Sequence, residues 1–227
     1  METKLRISVH VIDIQGTPYL TPECLESLPK DVIIEVTQPS VPLLEARLRF
    51  IETCGTELLT FVDYDDSLPD GALAAMLLTY DNALAQGLTL SGVTGNEVYV
   101  DDEGKPIIKF IASNAAFDVG KALQAFHVAR PVVIRTEVAQ EVARFLRAQD
   151  PAVLANIYVD FVIAFLSGCL LPYAYHEGET YLYRQHPKNM TKSAPHSWMQ
   201  AATTKLLIFV LQHFGKDYHA TAPKNDA

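Results

Sequence analysis

Apolar residues come in blocks along the N-terminal part of the chain, and the period of the pattern switches between that of a strand and that of a helix. LRISVHVIDI (5–14) is a nearly continuous apolar, β-branched run, the mark of a buried strand. It runs into Gln15-Gly16 and Pro18, a loop. TPECLESL (21–28) predicts a short helix, with Thr21 as N-cap and Pro22 in its first position. DVIIEVTQP (31–39) reads as a second strand closed by Pro39. LLEARLRFIETCG (43–55) has Leu44, Leu48 and Ile51 at helical spacing, with Gly55 as its C-cap. ELLTFVDYDD (57–66) is a third strand that ends in carboxylates, and LPDGALAAMLLTYDNALAQG (68–87) a long helix ending at Gly87. Strand alternating with helix implies an α/β sheet with parallel crossovers. In such sheets ligands bind beyond the carboxyl ends of the strands, where the acidic cluster falls.

The second half is less regular. EVYVDDEGKPIIKF (97–110) predicts a hairpin turning at Asp101, Asp102 and Gly104. An amphipathic stretch near 117–127 precedes RPVVIRTEV (130–138), a short strand leading into the helix VAQEVARFLRAQ. IYVDFVIAFLSG (157–168) predicts a further helix, ETYLYRQH (179–186) a strand, KLLIFVLQHFG (205–215) a closing helix and HATAPKNDA a frayed tail. Tyr173, Tyr175, Tyr181 and Tyr183 have period-two spacing, as on one strand face packed on the core, although aromatics also stack on sugar rings. LLIFVLQHF (206–214) suits a core helix, and alternatively a surface docked on a membrane or a second copy in a homo-oligomer. No repeat or linker divides the chain, so a single domain over 1–227 is expected.

Composition narrows the classes. Of 227 residues, 49% are hydrophobic and 20% charged, which excludes wholesale disorder. Eighteen Lys and Arg stand against 27 Asp and Glu, a net charge of −9 that disfavours generic nucleic-acid binding. Cys24, Cys54 and Cys169 fit neither a disulfide framework nor zinc-ligand spacing. METKLRISVHVI lacks the apolar core of a signal peptide, and FVIAFLSGCLLPYAY (161–175) is too short to span a bilayer and runs into Pro172. A reduced, cytoplasmic chain is the expectation.

The common phosphate-binding and hydrolase motifs, GxxxxGK[ST], GxGxxG after a strand and GxSxG, are absent, and the seven histidines show no HExxH. The positive signal is Asp63-Tyr64-Asp65-Asp66 at a strand end. Carboxylates one residue apart can share a Mg²⁺ or Mn²⁺ that keeps positions open for phosphates. The same spacing also describes a solvated acidic turn.

The flanking sequence adds to this. ARLRFIETCGTELLTFVDYDDSLPDGAL (46–73) resembles the core signature of family 2 glycosyltransferases of the GT-A fold: Ala46-Arg47, a helix, Gly55, the apolar LLTFV, then Asp63, Asp65, Asp66 and Pro69. ISVHVID (7–13) with ECLESL (23–28) resembles the family's opening, and YVDFVIAFLSGCLLPYAYHEGETYLYRQHPKNMTKS (158–193) its C-terminal block, with Asp160, Tyr183, Arg184 and His186 on the pattern. The resemblance implies a three-layer α/β/α sandwich with a mostly parallel central sheet. It divides the chain into a nucleotide-sugar half (1–95), an acceptor half (96–215) and a flexible tail (216–227). Thr37-Gln38 replace the acidic residue or Asn usual at the end of the second strand, and the Gln-x-x-Arg-Trp of processive synthases is absent.

By the same resemblance the chain is an inverting, non-processive, metal-dependent glycosyltransferase. A sugar passes from a nucleotide donor, a UDP-sugar being the expected form, to an acceptor hydroxyl on a glycan, lipid carrier, protein or modified nucleic-acid base. Asp160 is the implied general base. Asp65, Asp66 and His186 are implied around Mn²⁺ or Mg²⁺. Val11, Ile12, Asp13, Arg47, Asp63, Tyr64 and Arg184 are implied at the nucleotide and its diphosphate. Two other functions stay open: a nucleotidyltransferase on a related fold, and a non-catalytic nucleotide-binding module.

Overall fold

A computed structural model of the chain describes residues 5–12, 22–37, 42–110, 130–150, 154, 157–186, 203–205 and 208. The readings at Asp13, Thr21 and Gln38, the 117–127 stretch, nearly all of the 205–215 helix and the tail lie outside them. The strands are β1 (Ile7–Ile12), β2 (Ile33–Thr37), β3 (Leu58–Asp63), β4 (Gly92–Val100), β5 (Pro106–Phe110), β6 (Val133–Arg135) and β7 (Tyr173–Arg184). The helices are α1 (Pro22–Ser27), α2 (Leu43–Thr53), α3 (Ala72–Ala85), α4 (Thr136–Arg147) and α5 (Val159–Leu170).

The strands form one seven-stranded sheet in the order β2-β1-β3-β6-β4-β5, with β7 also paired to β4. β1 lies parallel between β2 and β3, as right-handed crossovers through α1 and α2 allow. β6 runs antiparallel to both β3 and β4, β5 antiparallel to β4, and β7 parallel to β4. Thus β1, β2, β3, β4 and β7 point one way, and the sheet is mixed but mostly unidirectional.

Alternation along the strands divides the core in two. Leu58, Val62 and Val133 join Val9, Val11, Met76 and Tyr80 on the face covered by α1 and α3. Leu59 and Ile134 join Leu48, Ile51, Val142, Leu146, Ile163 and Phe165 on the face covered by α2, α4 and α5. Because β1 is covered on both faces all six of its residues are buried, which is why it reads as a nearly continuous apolar run. Gly92 sits where the sheet packs most tightly: a Cβ there would lie 1.9 Å from the carbonyl oxygen of Val133. Among the described residues no helix is long and apolar enough to cross a membrane.

Two local readings change. Gly55 does not cap α2; the helix ends at Thr53 and Cys54 turns to extended backbone (φ −61°, ψ 123°) while its N–H still reaches Phe50. Among the described glycines, Gly71, Gly87 and Gly104 are left-handed, at φ 72°, 81° and 79°. The tyrosine run is also divided, because register shifts between Thr94 and Glu97 interrupt the β4–β7 ladder. Tyr173 consequently packs in the α2/α4/α5 core, and Tyr181 and Tyr183 in the other.

Candidate active site

Asp63 is the last residue of β3 and pairs with Ile12 of β1, which sets it at the carboxyl edge of the parallel strands. The chain then turns sharply, the N–H of Asp66 donating to the carbonyl of Asp63 at 3.0 Å. The turn is stitched to the end of β7. Ser67 and Leu182 exchange backbone hydrogen bonds at 3.2 and 2.9 Å, and the N–H of Arg184 donates to Asp66 Oδ1 at 2.8 Å. The Asp-Tyr-Asp-Asp segment is therefore a fixed ledge and not a solvated loop, since Asp65 and Asp66 are 8% and 1% exposed.

Three groups of side chains meet there. The first surrounds Arg47, which α2 carries into the interior with no exposed surface. Its Nε donates to Asp160 Oδ1 at 3.0 Å and its Nη2 to Asp63 Oδ1 at 3.1 Å and Asp160 Oδ2 at 3.4 Å. Its Nη1 donates to the carbonyl of His10 at 3.1 Å, and Phe61 lies 4.6 Å beneath the guanidinium. His10 in turn stacks on Phe50 at 4.5 Å and bonds Thr37 Oγ1 at 2.9 Å, so Thr37 at the end of β2 is tied into the same network. Asp160 stands in the first turn of α5, where a carboxylate complements the helix dipole.

The second group pairs Asp65 with His186, Oδ2 to Nε2 at 2.8 Å, and both residues are buried. Beside them Arg184 donates to the carbonyls of Asp65 and Asp102 at 3.3 and 2.8 Å and to Glu23 Oε2 at 2.5 Å. Its guanidinium thus clamps the acidic turn to the β4–β5 hairpin and to α1.

The third group centres on Arg130, just before β6. Its Nη1 donates to Asp63 Oδ2 at 3.0 Å and stands 3.7 Å from Asp66 Oδ2, while Nη2 donates to Glu97 Oε1 at 2.9 Å. The guanidinium lies over the rings of Tyr183 and Tyr181, at 4.4 and 4.9 Å. The Tyr181 hydroxyl accepts the N–H of Asp63 at 3.1 Å.

The structure thus brings together Arg47, Asp63, Asp65, Asp66, Asp160, Arg184 and His186. It does not turn Val11, Ile12 or Tyr64 toward this group as open side chains: all three are buried, Val11 and Tyr64 in the core beneath α1 and α3. Arg130, Glu97, His10 and Glu23 escaped the sequence reading, and Tyr181 was read only as one of a run of strand tyrosines. Two of them carried a signal. Glu97 is the one charged residue of β4 and is buried there, and His10 breaks the apolar run of β1.

The electrostatics follow from burial. Asp66 is held well above the ordinary carboxylate range, first by burial and then by Asp63 and Asp65, against Arg130 and the Arg184 amide. Its Oδ2 is buried with no hydrogen-bond partner. Asp63 is pushed upward by burial and by Asp160, with Arg130 and Arg47 opposing. Burial lowers Arg130, but Glu97, Tyr181, Asp66 and Asp63 outweigh it and hold the guanidinium firmly charged. Burial, helped by the Arg47 charge, lowers His10 to about 3.

Among the described residues, six carboxyl groups (Glu23, Asp63, Asp65, Asp66, Glu97 and Asp160) share this edge with three guanidinium groups (Arg47, Arg130 and Arg184), an excess of negative charge. No group of three or more His, Cys, Asp or Glu side chains is arranged as a metal cage among the described residues. The donor set nonetheless suits a hard divalent ion that takes one or two protein ligands and completes its shell with phosphates and water. Asp65 and His186 offer an oxygen and a nitrogen 2.8 Å apart.

No family model matches the chain, and no curated protein matches it. Solved structures do. A crystal structure of S. aureus TarS 1–349 in complex with UDP-GlcNAc aligns over 91% of this chain with a TM-score of 0.61 and 11% identity, and the match spans 66% of that chain. The same protein in complex with UDP aligns over 96% of this chain and 76% of that one, with a TM-score of 0.53 and 11% identity. A longer S. aureus TarS structure aligns over 81% of this chain and 37% of its own, with a TM-score of 0.54 and 14% identity. At such identities the likeness speaks for the fold alone, and that fold is a GT-A-like α/β sheet flanked by helices.

Proposed function

We propose that this chain is a glycosyltransferase that takes its sugar from a nucleotide-sugar donor, a UDP-sugar, and passes it with inversion to an acceptor hydroxyl. The observation that carries the reading is the Arg47 bridge. It draws Asp160, from the acceptor half, against Asp63 at the strand edge where an α/β sheet of this kind holds its ligand. The TarS structures of the same fold, in complex with UDP-GlcNAc and with UDP, support the choice of donor.

In this reading Asp63, a carboxylate with both oxygens fixed by arginines and a side chain 32% exposed, accepts a hydroxyl of the nucleotide ribose. Asp160 takes the proton from the attacking hydroxyl as the new carbon–oxygen bond forms at the anomeric carbon and the bond to the diphosphate breaks. Its side chain is 27% exposed, enough to meet an acceptor while Arg47 fixes its plane. Asp65 and His186 would hold a divalent cation, which neutralises charge on the departing diphosphate. Arg184 supports that pair from behind, its donors going to Glu23 and to the carbonyls of Asp65 and Asp102. Val11 and Ile12 give the nucleobase a floor of buried backbone.

The test is product analysis with a panel of UDP-sugars, in the presence of Mn²⁺ and a mixture of simple hydroxyl acceptors. The expected product is UDP. Release of pyrophosphate from a nucleoside triphosphate and sugar phosphate would instead establish a nucleotidyltransferase.

A further inference from the structure

Arg130 belongs to none of the motifs that point to the site, yet it touches Asp63, Glu97, Tyr181 and Tyr183 and stands 3.7 Å from Asp66. β6 runs antiparallel to β3, with Leu58 opposite Arg135 and Leu59 opposite Ile134. The same register carried to the strand ends sets Arg130 level with Asp63, and their side chains meet at 3.0 Å. Two things fix Arg130 in that position. Glu97, entirely buried on β4, accepts from Nη2 at 2.9 Å and from the Arg130 backbone N–H at 3.4 Å. The rings of Tyr181 and Tyr183 form a floor under the guanidinium plane.

The result is that Asp63 is held at both carboxylate oxygens and at its backbone N–H. Arg47 takes Oδ1, Arg130 takes Oδ2, and Tyr181, which also carries Arg130, takes the backbone N–H. Each carboxylate oxygen retains a lone pair for a ligand, but neither is free to rotate. Only a planar fork with separated donors can serve Asp63 from one nitrogen and Glu97 from another; an ammonium group has the charge without the fork.

We infer that Arg130 is a positioning residue of the donor site: anchored by Glu97 and the two tyrosines, it sets the plane of the Asp63 carboxylate so that the remaining lone pairs meet the nucleotide. The inference rests on the donor-site reading above and adds a residue to it. It separates Arg130 from Arg184, whose donors go to Glu23 and to backbone carbonyls and which stabilises the turn without orienting Asp63.

The experiment measures UDP binding by calorimetry, with Mn²⁺ present, to the wild-type chain, Arg130→Met, Arg130→Lys and Glu97→Gln, alongside the denaturation midpoint of each without ligand. The expected result is about a tenfold or greater loss of UDP affinity in Arg130→Met, with a smaller loss in Arg130→Lys. Glu97→Gln, which leaves Arg130 in place but weakens its anchor, is expected to lie between wild type and Arg130→Met and to fold even if Arg130→Met does not. Affinity that tracks the denaturation midpoint across all variants, or that stays at the wild-type value in Arg130→Lys and Glu97→Gln, overturns the inference alone. A wild-type chain that binds no UDP removes the donor-site reading and this inference with it.

Discussion

Arg47 and Asp160 lie 113 positions apart in sequence, yet the guanidinium of one and the carboxylate of the other meet at 3.0 Å. Arg47 has no exposed surface and Asp160 stands at the start of a helix from the opposite half of the chain. The contact therefore ties the start of α5 to α2 at the strand edge.

Removing that guanidinium leaves Asp63 and Asp160 without their shared counter-charge. Arg47→Met is expected to destabilise the fold by about 3–5 kcal/mol, the usual consequence of breaking a buried ion pair from one side. Chemical denaturation measures it; a loss below about 1 kcal/mol would mean that the bridge contributes little.

If Asp160 is the base, Asp160→Asn should keep UDP affinity near that of the wild type and lower single-turnover transfer by about 10²–10⁴. The amide keeps the shape and one acceptor oxygen for Arg47. Transfer at the wild-type rate would assign the base elsewhere.

His10 gives a pH signature. It is held neutral, with its pKa lowered to about 3, first by burial and then by Arg47. The unfolded chain takes up that proton near 6.5, so the contribution is complete above about 6.5 and is lost as pH falls toward 3. In that window one such proton steepens the loss by at most about 1.4 kcal/mol per pH unit. His10→Gln is expected to flatten the stability profile between pH 6 and 4 by about that slope. Parallel profiles for the two chains would show that His10 does not titrate on unfolding.

Gly92→Ala tests the packing of the sheet. A methyl group 1.9 Å from the carbonyl oxygen of Val133 must push β4 from β6. A loss of about 1–3 kcal/mol is expected, read from the denaturation midpoint. An unchanged midpoint would mean that the strands separate without strain.

Much of this was legible in the sequence, and the part that was not has a physical cause. Every described element of the first 90 residues could be read because hydrophobic period and turn residues are local signals, and β1 to α3 alternate cleanly. Asp63, Asp65 and Asp66 were legible as a cluster at a strand end. Their division of labour was not: the pairing of Asp65 with His186, and the burial of Asp66 against the Arg184 amide, depend on β7 arriving beside the turn. Arg184 was legible as a cation near the site, but its hydrogen bond to Glu23 of α1 was not, because that contact joins residues 161 positions apart. Arg130 left no trace because its meaning comes from the β3–β6 register, a long-range fact. Gly55 illustrates the opposite error, where a local signal was overridden by the extended exit of α2.

In the proposed reading the acidic edge holds a nucleotide diphosphate through Asp65 and a divalent ion. The most direct measurement is the thermal shift of the wild-type chain and of Asp65→Ala with UDP, with and without Mn²⁺. At about 100 times its dissociation constant UDP should add roughly 2.7 kcal/mol to the wild-type chain in the presence of Mn²⁺ and much less without it. Asp65→Ala should show neither gain. An equal UDP shift in both chains, or none in the wild type at any Mn²⁺ concentration, would contradict the account.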